Sequence, residues 1–192
     1  PSAIAAILLT HEHSDHTRGV YPLARRLNVP VVGTQGSLDA FAATRKNGLS
    51  GIATVRCGYN GTWEGAGMEV VPFPASHDAA EPCGFFIRDG DQRFACCTYT
   101  GEILPAARDA MARSDTLVIE SNHCPVMLKD GPYPEVLKRR IRSRRGHLSN
   151  TAAASFMRDL GDALPSLLTL AHLSEVNNTP EKALSSAREG AW

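Results

Sequence analysis

The stretch His11-Glu12-His13-Ser14-Asp15-His16 follows the apolar run Ile4–Leu9. It places three imidazoles and the Asp15 carboxylate within six positions. An apolar run of this length reads as a buried strand. A strand that ends in such a cluster delivers its polar groups to one sheet edge. Side chains alternate along a strand, so His11 and His13 are expected on the same side. A helix beginning near Ser14 would turn Asp15 and His16 back toward a second position. Imidazole nitrogen and carboxylate oxygen together suit zinc, with manganese or iron as the neighbouring choices. The stretch therefore points to a metal centre built at the end of a strand.

Three later segments repeat this placement of polar residues after apolar ones, and a fourth histidine stands before a helix start. Ser76-His77-Asp78-Ala79 follows Val70–Ala75, and His172 follows Ser166–Leu170. His123 closes Glu120-Ser121-Asn122-His123 after the run Leu117–Glu120. His147 precedes Ser149-Asn150, where a helix is expected to begin. Free N–H groups at a helix start favour anions, so a His there suits a phosphate oxygen.

The pattern His-x-His-x-Asp-His, with these later blocks in order, resembles the metallo-β-lactamase superfamily. Within it the chain is similar to the YycJ/WalJ-type branch of exonuclease-like enzymes. The resemblance runs from Ile4 to about Leu184. It implies an αββα sandwich and a pair of divalent cations that activate a hydroxide. Carried over by position, His11, His13 and His77 would hold one cation, and Asp15, His16 and His172 a second. Asp15, His123 and His147 are the expected catalytic residues, with His123, beyond a strand end, a substrate contact or a proton donor. The resemblance also exposes a departure. In Cys97-Thr98-Tyr99-Thr100-Gly101 the family pattern has a bridging Asp where this chain has Tyr99. A phenol with a pKa near 10 bridges two cations far less well than a carboxylate. Cys124 likewise stands where the pattern continues with Asp. The family carries more sheet before the first block, so the expectation is a fold lacking its first N-terminal strands.

Bulk properties agree with one domain spanning residues 1–192. No apolar run approaches the roughly 20 residues of a membrane helix, and no signal peptide is visible. Five cysteines form no disulfide framework pattern, which favours a reducing cytoplasm. Net charge is zero, with 20 basic and 20 acidic residues. Local charge is not balanced. Lys138, Arg139, Arg140, Arg142, Arg144 and Arg145 place six cations in eight positions, leading into Gly146-His147. Such a run suits a nucleic-acid backbone. It has no interleaved aromatic residue and so offers no stacking platform.

Short apolar runs and helical segments alternate along the chain. Helices are expected over 15–27, from a cap at Ser37 to about 46, and over 105–113, 133–143 and 150–160, with a last one opening at Pro180. Strands are expected over 29–33, 53–57, 68–73, 84–88, 93–98, 117–120 and 167–170. The function expected of this α/β chain is a metal-dependent phosphodiesterase, most closely a DNA exonuclease, using zinc or manganese, one or two ions. Two alternatives share the fold. One is a hydrolase of a thioester, lactam or small phosphodiester. The other is a chain that binds without turnover because Tyr99 replaces the bridging Asp.

Overall fold

The computed structural model describes residues 4–191. It divides into two compact units, one of residues 4–74 and 79–92, the other of residues 75–78 and 93–191.

The first unit opens with β1 (Ile7–Leu9), α1 (Ser14–Thr17), α2 (Val20–Leu27), β2 (Val31–Gly33), α3 (Gln35–Ala43) and β3 (Thr54–Arg56). The three strands form a parallel sheet in the order β1-β2-β3, with Ile7 opposite Val31 and Val31 opposite Thr54. Helices cross over between successive strands, as parallel pairing requires. Leu9, Val20, Ala24, Val31, Leu38 and Phe41 make the core, with Ile7 and Tyr21 packed against it. The single helix expected over 15–27 is two helices. Thr17 turns its hydroxyl back to the His13 carbonyl at 3.1 Å, a bond that bends helices. Gly19, a poor helix-interior residue, follows and caps α2. Asn28, left-handed at φ +53°, ends that helix. The cap of α3 is Thr34 rather than Ser37. The Thr34 hydroxyl accepts from the Ser37 N–H at 3.4 Å, and Ser37 lies inside the helix.

The same unit continues with β4 (Trp63–Gly65), β5 (Met68–Pro74) and β6 (Cys83–Asp89), all antiparallel neighbours. Ala66 and Gly67 both have positive φ, the turn geometry that matches strand twist in a two-residue hairpin. Val70, Cys83 and Phe85 are buried, with Leu8, Tyr59, Trp63 and Ile87 packed on them. β4 escaped the sequence reading because it is three residues long and carries a glutamate and a glycine.

The second unit holds β7 (Gln92–Cys97), α4 (Pro105–Ala112), β8 (Thr116–Glu120), α5 (Pro125–Asp130), α6 (Glu135–Ile141), α7 (Asn150–Leu160), β9 (Leu167–Ala171) and α8 (Pro180–Ala191). β7, β8 and β9 run parallel, with Phe94 opposite Thr116 and Thr116 opposite Leu167. Ala95, Cys97, Leu117 and Ile119 are fully buried along them. α8 lies close on α7 because residue 190 is glycine: a Cβ there would meet the Ala154 carbonyl oxygen at 2.3 Å. No disulfide joins the five cysteines. No described helix is long and apolar enough to cross a membrane.

Candidate metal centre

In the first unit the chain leaves β1 through Thr10 and brings His11, His13 and His16 together. The ring centroids of His11 and His13 are 4.6 Å apart, and those of His11 and His16 are 4.1 Å apart. One hydroxyl organises two of these rings. Thr10 Oγ1 lies 3.1 Å from His11 Nδ1 and 3.4 Å from His16 Nδ1. Both contacts use Nδ1, so Nε2 is the other coordinating position on each ring. His11 is buried, whereas Asp15 is exposed on α1, its carboxylate 3.6 Å from His16 Nε2. Glu12 stays out of this group. Its Oε1 accepts the Ala80 N–H at 2.8 Å and so ties down the loop before β6.

In the second unit the parallel strands β7, β8 and β9 end on one edge. Tyr99, Glu120 and His172 stand at or just beyond those three ends, where ligand sites of parallel sheets form. His77 joins them from its own short segment. Its Nδ1 is 3.2 Å from the Gly146 carbonyl oxygen, and its own carbonyl accepts from Arg145 Nε at 3.1 Å. Asp78 is held by Arg140 at 2.7 Å. Gly146 is obligatory here, since a Cβ would meet the Arg140 carbonyl oxygen at 2.2 Å. The result is a ring cluster. His77 and His147 have centroids 5.2 Å apart, and His147 and His172 5.0 Å apart. Tyr99 stacks on His172 at 3.9 Å.

Beneath the rings lies Glu120, which is completely buried. Its Oε1 accepts from His147 Nδ1 at 2.8 Å and His172 Nδ1 at 2.5 Å. Its Oε2 accepts the N–H groups of Thr100 at 2.8 Å and Leu148 at 3.1 Å. Burial pushes the Glu120 pKa up, but these donors together outweigh it and hold the carboxyl at about 2. An ionised carboxylate only accepts, so both imidazoles carry a proton on Nδ1. Each therefore turns Nε2 outward, the arrangement that orients metal-ligating histidines. Glu120, His147 and His172 each bring a nitrogen or oxygen atom within 4.8 Å of the others; with Glu120 engaged by the Nδ1 protons, the outward Nε2 atoms are the positions that fit a divalent cation. Glu120 was not among the residues singled out from the sequence. Its only local signal is its place at the end of an apolar strand, the position His77 and His172 also occupy.

A polar network fixes the strand ends. Asn150 and Asn178 bond each other at 2.8 Å, Ser121 donates to Asn150 at 2.8 Å, and Asn122 donates to the His172 carbonyl at 2.9 Å. His172 takes a left-handed backbone at φ +56°, as does Tyr99 at φ +59°. A cleft of about 370 Å³ opens beside His147 and His172, with Tyr133 and Glu175 on its walls. His123 is buried next to the group. Burial lowers its pKa most, Glu120 opposes this, and the charges of His147 and Arg142 lower it further, to about 4. It is neutral at pH 7.

The basic run is largely engaged within its own unit. Lys138 is buried and donates to the Lys129 carbonyl at 2.7 Å. Arg140 pairs with Asp78, and Arg144 with Glu102 at 2.8 Å.

Residues 1–173 match the family model described as the beta-lactamase superfamily domain. The exodeoxyribonuclease YycJ of Bacillus anthracis is 33% identical over 192 residues, covering 97% of this chain and 70% of the relative. The exodeoxyribonuclease WalJ of Streptococcus pneumoniae is 34% identical over 185 residues, covering 95% of this chain and 68% of the relative. Among solved structures, the metallo-β-lactamase fold protein YhfI of Bacillus subtilis superposes with a TM-score of 0.71 at 17% identity, covering 96% of this chain and 70% of that one. The chain belongs to the metallo-β-lactamase superfamily and is a metal-dependent hydrolase of that class. Within the class it is similar to the YycJ/WalJ group, as the sequence blocks imply.

Proposed function

We propose that this chain hydrolyses phosphodiester bonds at the ends of DNA. The observation that carries the reading is the Glu120 carboxylate holding His147 and His172 through Nδ1, in a chain a third identical to proteins named exodeoxyribonuclease. In this reading the whole of residues 1–192 acts as one catalytic domain. His11, His13 and His77 hold one divalent cation, and Asp15, His16 and His172 a second. Zinc is the cation the imidazole-rich set favours, with manganese second. When bound, the cations supply Lewis acidity at the phosphoryl oxygens.

The remaining steps belong to the chain's own residues. Asp15, exposed at the start of α1, accepts the proton of the attacking water. His147, steadied by Glu120, holds a proton at Nε2 and gives it to the leaving sugar oxygen, a transfer typically worth a factor of 10²–10⁴. His123, neutral and buried, contacts the substrate beside it. Arg139 and Arg142 of the basic run meet the strand's phosphates: Lys138, Arg140, Arg144 and Arg145 are held by close protein partners, whereas Arg142 reaches Glu135 at 3.8 Å.

Elemental analysis for zinc and manganese, paired with degradation of an end-labelled linear DNA, tests this. Wild type should retain metal and shorten the strand from an end. The double variant His11→Ala, His13→Ala should do neither. Metal retention at the wild-type level in that variant would remove the assignment.

Tyr99 favours a second reading, of a chain that binds strongly and turns over slowly. Its ring stacks on His172 where the family pattern has a bridging acid. Tyr99→Asp should raise metal content toward two per chain and raise activity with it. Unchanged turnover with two metals already present in wild type would clear Tyr99 of the charge.

A further inference from the structure

The cleft of about 370 Å³ beside His147 and His172 has two apolar walls. Leu137 and Ile141, one turn apart on α6, line the first, and Tyr133 stands a further turn back, just before that helix. Leu173 and Val176 line the second, and Val176 is 42% exposed. Apolar and aromatic walls facing a polar floor suit a flat ligand with polar edges.

The walls are fixed before anything binds. Tyr133 lies between Pro132 and Pro134, and a residue before proline is confined to extended backbone. Buried Lys138 donates to the Lys129 carbonyl at 2.7 Å, which closes the chain into a loop around Tyr133. The second wall is pinned to the same loop. Cys124 donates to the Asn177 carbonyl at 2.9 Å, and a Cβ on Gly131 would meet Asn177 Oδ1 at 2.6 Å. Walls held in place lower the entropy cost of taking up a ligand.

Polar groups select among flat ligands. Ser174 Oγ accepts the Asn177 N–H at 3.1 Å, which leaves its own proton to donate. Glu175, its exposed neighbour on the same wall, brings a carboxylate that accepts. That acid repels a phosphate. A donor and an acceptor side by side match the edge of a nucleobase, which presents both. The floor supplies continuity with the chemistry. His147, the proton donor of the proposed reaction, and His172, a proposed metal ligand, both line the cleft. Its occupant therefore belongs to the nucleotide at the bond being cut.

We propose that this cleft takes up the base of the strand's terminal nucleotide, with Tyr133 as the stacking platform. The proposal rests on the nuclease reading and names the substrate it favours, a DNA end whose last base is unpaired. A base held between these walls cannot meet its complement, so a duplex must open its last pair first. The basic run has no aromatic residue on which to stack a base. Tyr133, five positions before Lys138, provides one.

The test is equilibrium binding, by fluorescence anisotropy, of short single-stranded phosphorothioate DNA that resists hydrolysis. Three strands are compared: one intact, one abasic at its 5′-terminal nucleotide and one abasic at its 3′-terminal nucleotide. The proteins are the full chain, Tyr133→Ala, Tyr133→Phe and Leu23→Ala, the last a control for loss of an exposed apolar side chain on α2. Tyr133→Ala should weaken binding of the intact strand about tenfold, the scale of one base–aromatic stack. On one of the two abasic strands Tyr133→Ala and wild type should agree within about twofold, because the stack is already gone. That strand identifies the end the cleft holds. Tyr133→Phe, which keeps the ring, and Leu23→Ala should bind the intact strand within about twofold of wild type. A duplex mismatched at that end should bind wild type more tightly than a matched one, and Tyr133→Ala should lose the preference. Equal weakening by Tyr133→Ala on all three strands, or weakening on none, overturns the base subsite. Binding is read without turnover. A chain that binds in this pattern but degrades no DNA keeps the subsite and loses the nuclease assignment. A chain that degrades DNA while Tyr133→Ala binds every strand as wild type does keeps the nuclease assignment and loses the subsite.

Discussion

The histidines of the two units are held by opposite chemistry. In the first unit, His11 and His16 share one neutral hydroxyl, that of Thr10. In the second, His147 and His172 share one ionised carboxylate that is wholly buried. A hydroxyl has one proton to give and costs little to lose. A buried carboxylate demands donors on every lone pair, and Glu120 obtains them from two side chains and two backbone amides. The first arrangement leaves its rings easy to replace. The second makes ring orientation and local stability the same thing.

The sharpest way to break this contrast is to remove each hub. Glu120→Ala strands four donors in a dry site and should cost on the order of 3–5 kcal/mol in denaturant unfolding. Thr10→Ala removes a neutral bond and should cost about 1 kcal/mol. Similar costs for the two would mean that the hubs do not differ in kind.

The double variant His11→Ala, His13→Ala comes next. It should lose metal while its unfolding midpoint falls much less than that of Glu120→Ala. The first group would then serve binding and the second serve both binding and folding. A midpoint loss as large as that of Glu120→Ala would erase the distinction.

Acid offers a finer probe. Glu120 is held at about 2 in the folded chain against an ordinary 4.5. Its folded pKa is depressed, so its contribution is complete above the ordinary value and fades as pH falls toward 2. The stability gap between wild type and Glu120→Gln should therefore shrink below about pH 4.5. A gap that stays constant to pH 2 would place the stabilisation elsewhere.

The smallest expected effect separates two adjacent arginines. Arg140→Ser frees Asp78, beside His77, and should lower metal retention and hydrolysis of a small chromogenic diester by several-fold. Arg139→Ser should touch only the binding of a DNA strand and its dependence on salt. Identical outcomes for the two would return the basic run to a single role.

Much of this was legible in the sequence because its signals are local. Apolar runs that end in His11, His77 and His172 announce strand ends, and the α7 boundaries follow from Ser149 and its helical period. Glu120 was invisible for the opposite reason. A glutamate closing an apolar strand looks like a solvent-facing end, and its four donors come from residues 20 to 52 positions away. The ion pairs of the basic run were hidden for the same reason: a charged helix face is a local pattern, but the partners Asp78 and Glu102 lie 62 and 42 positions back. Short elements such as β4 and α5 carry too few residues for periodicity to show. The break between α1 and α2 depends on one hydroxyl turning back onto its own helix.

The amides of Thr100 and Leu148 lie in connecting segments, where protons ordinarily trade with solvent within moments. Here each points at a carboxylate that water does not reach. Their exchange with deuterium is tied to the opening of the whole second unit, so two loop positions should keep time with the slowest strand positions.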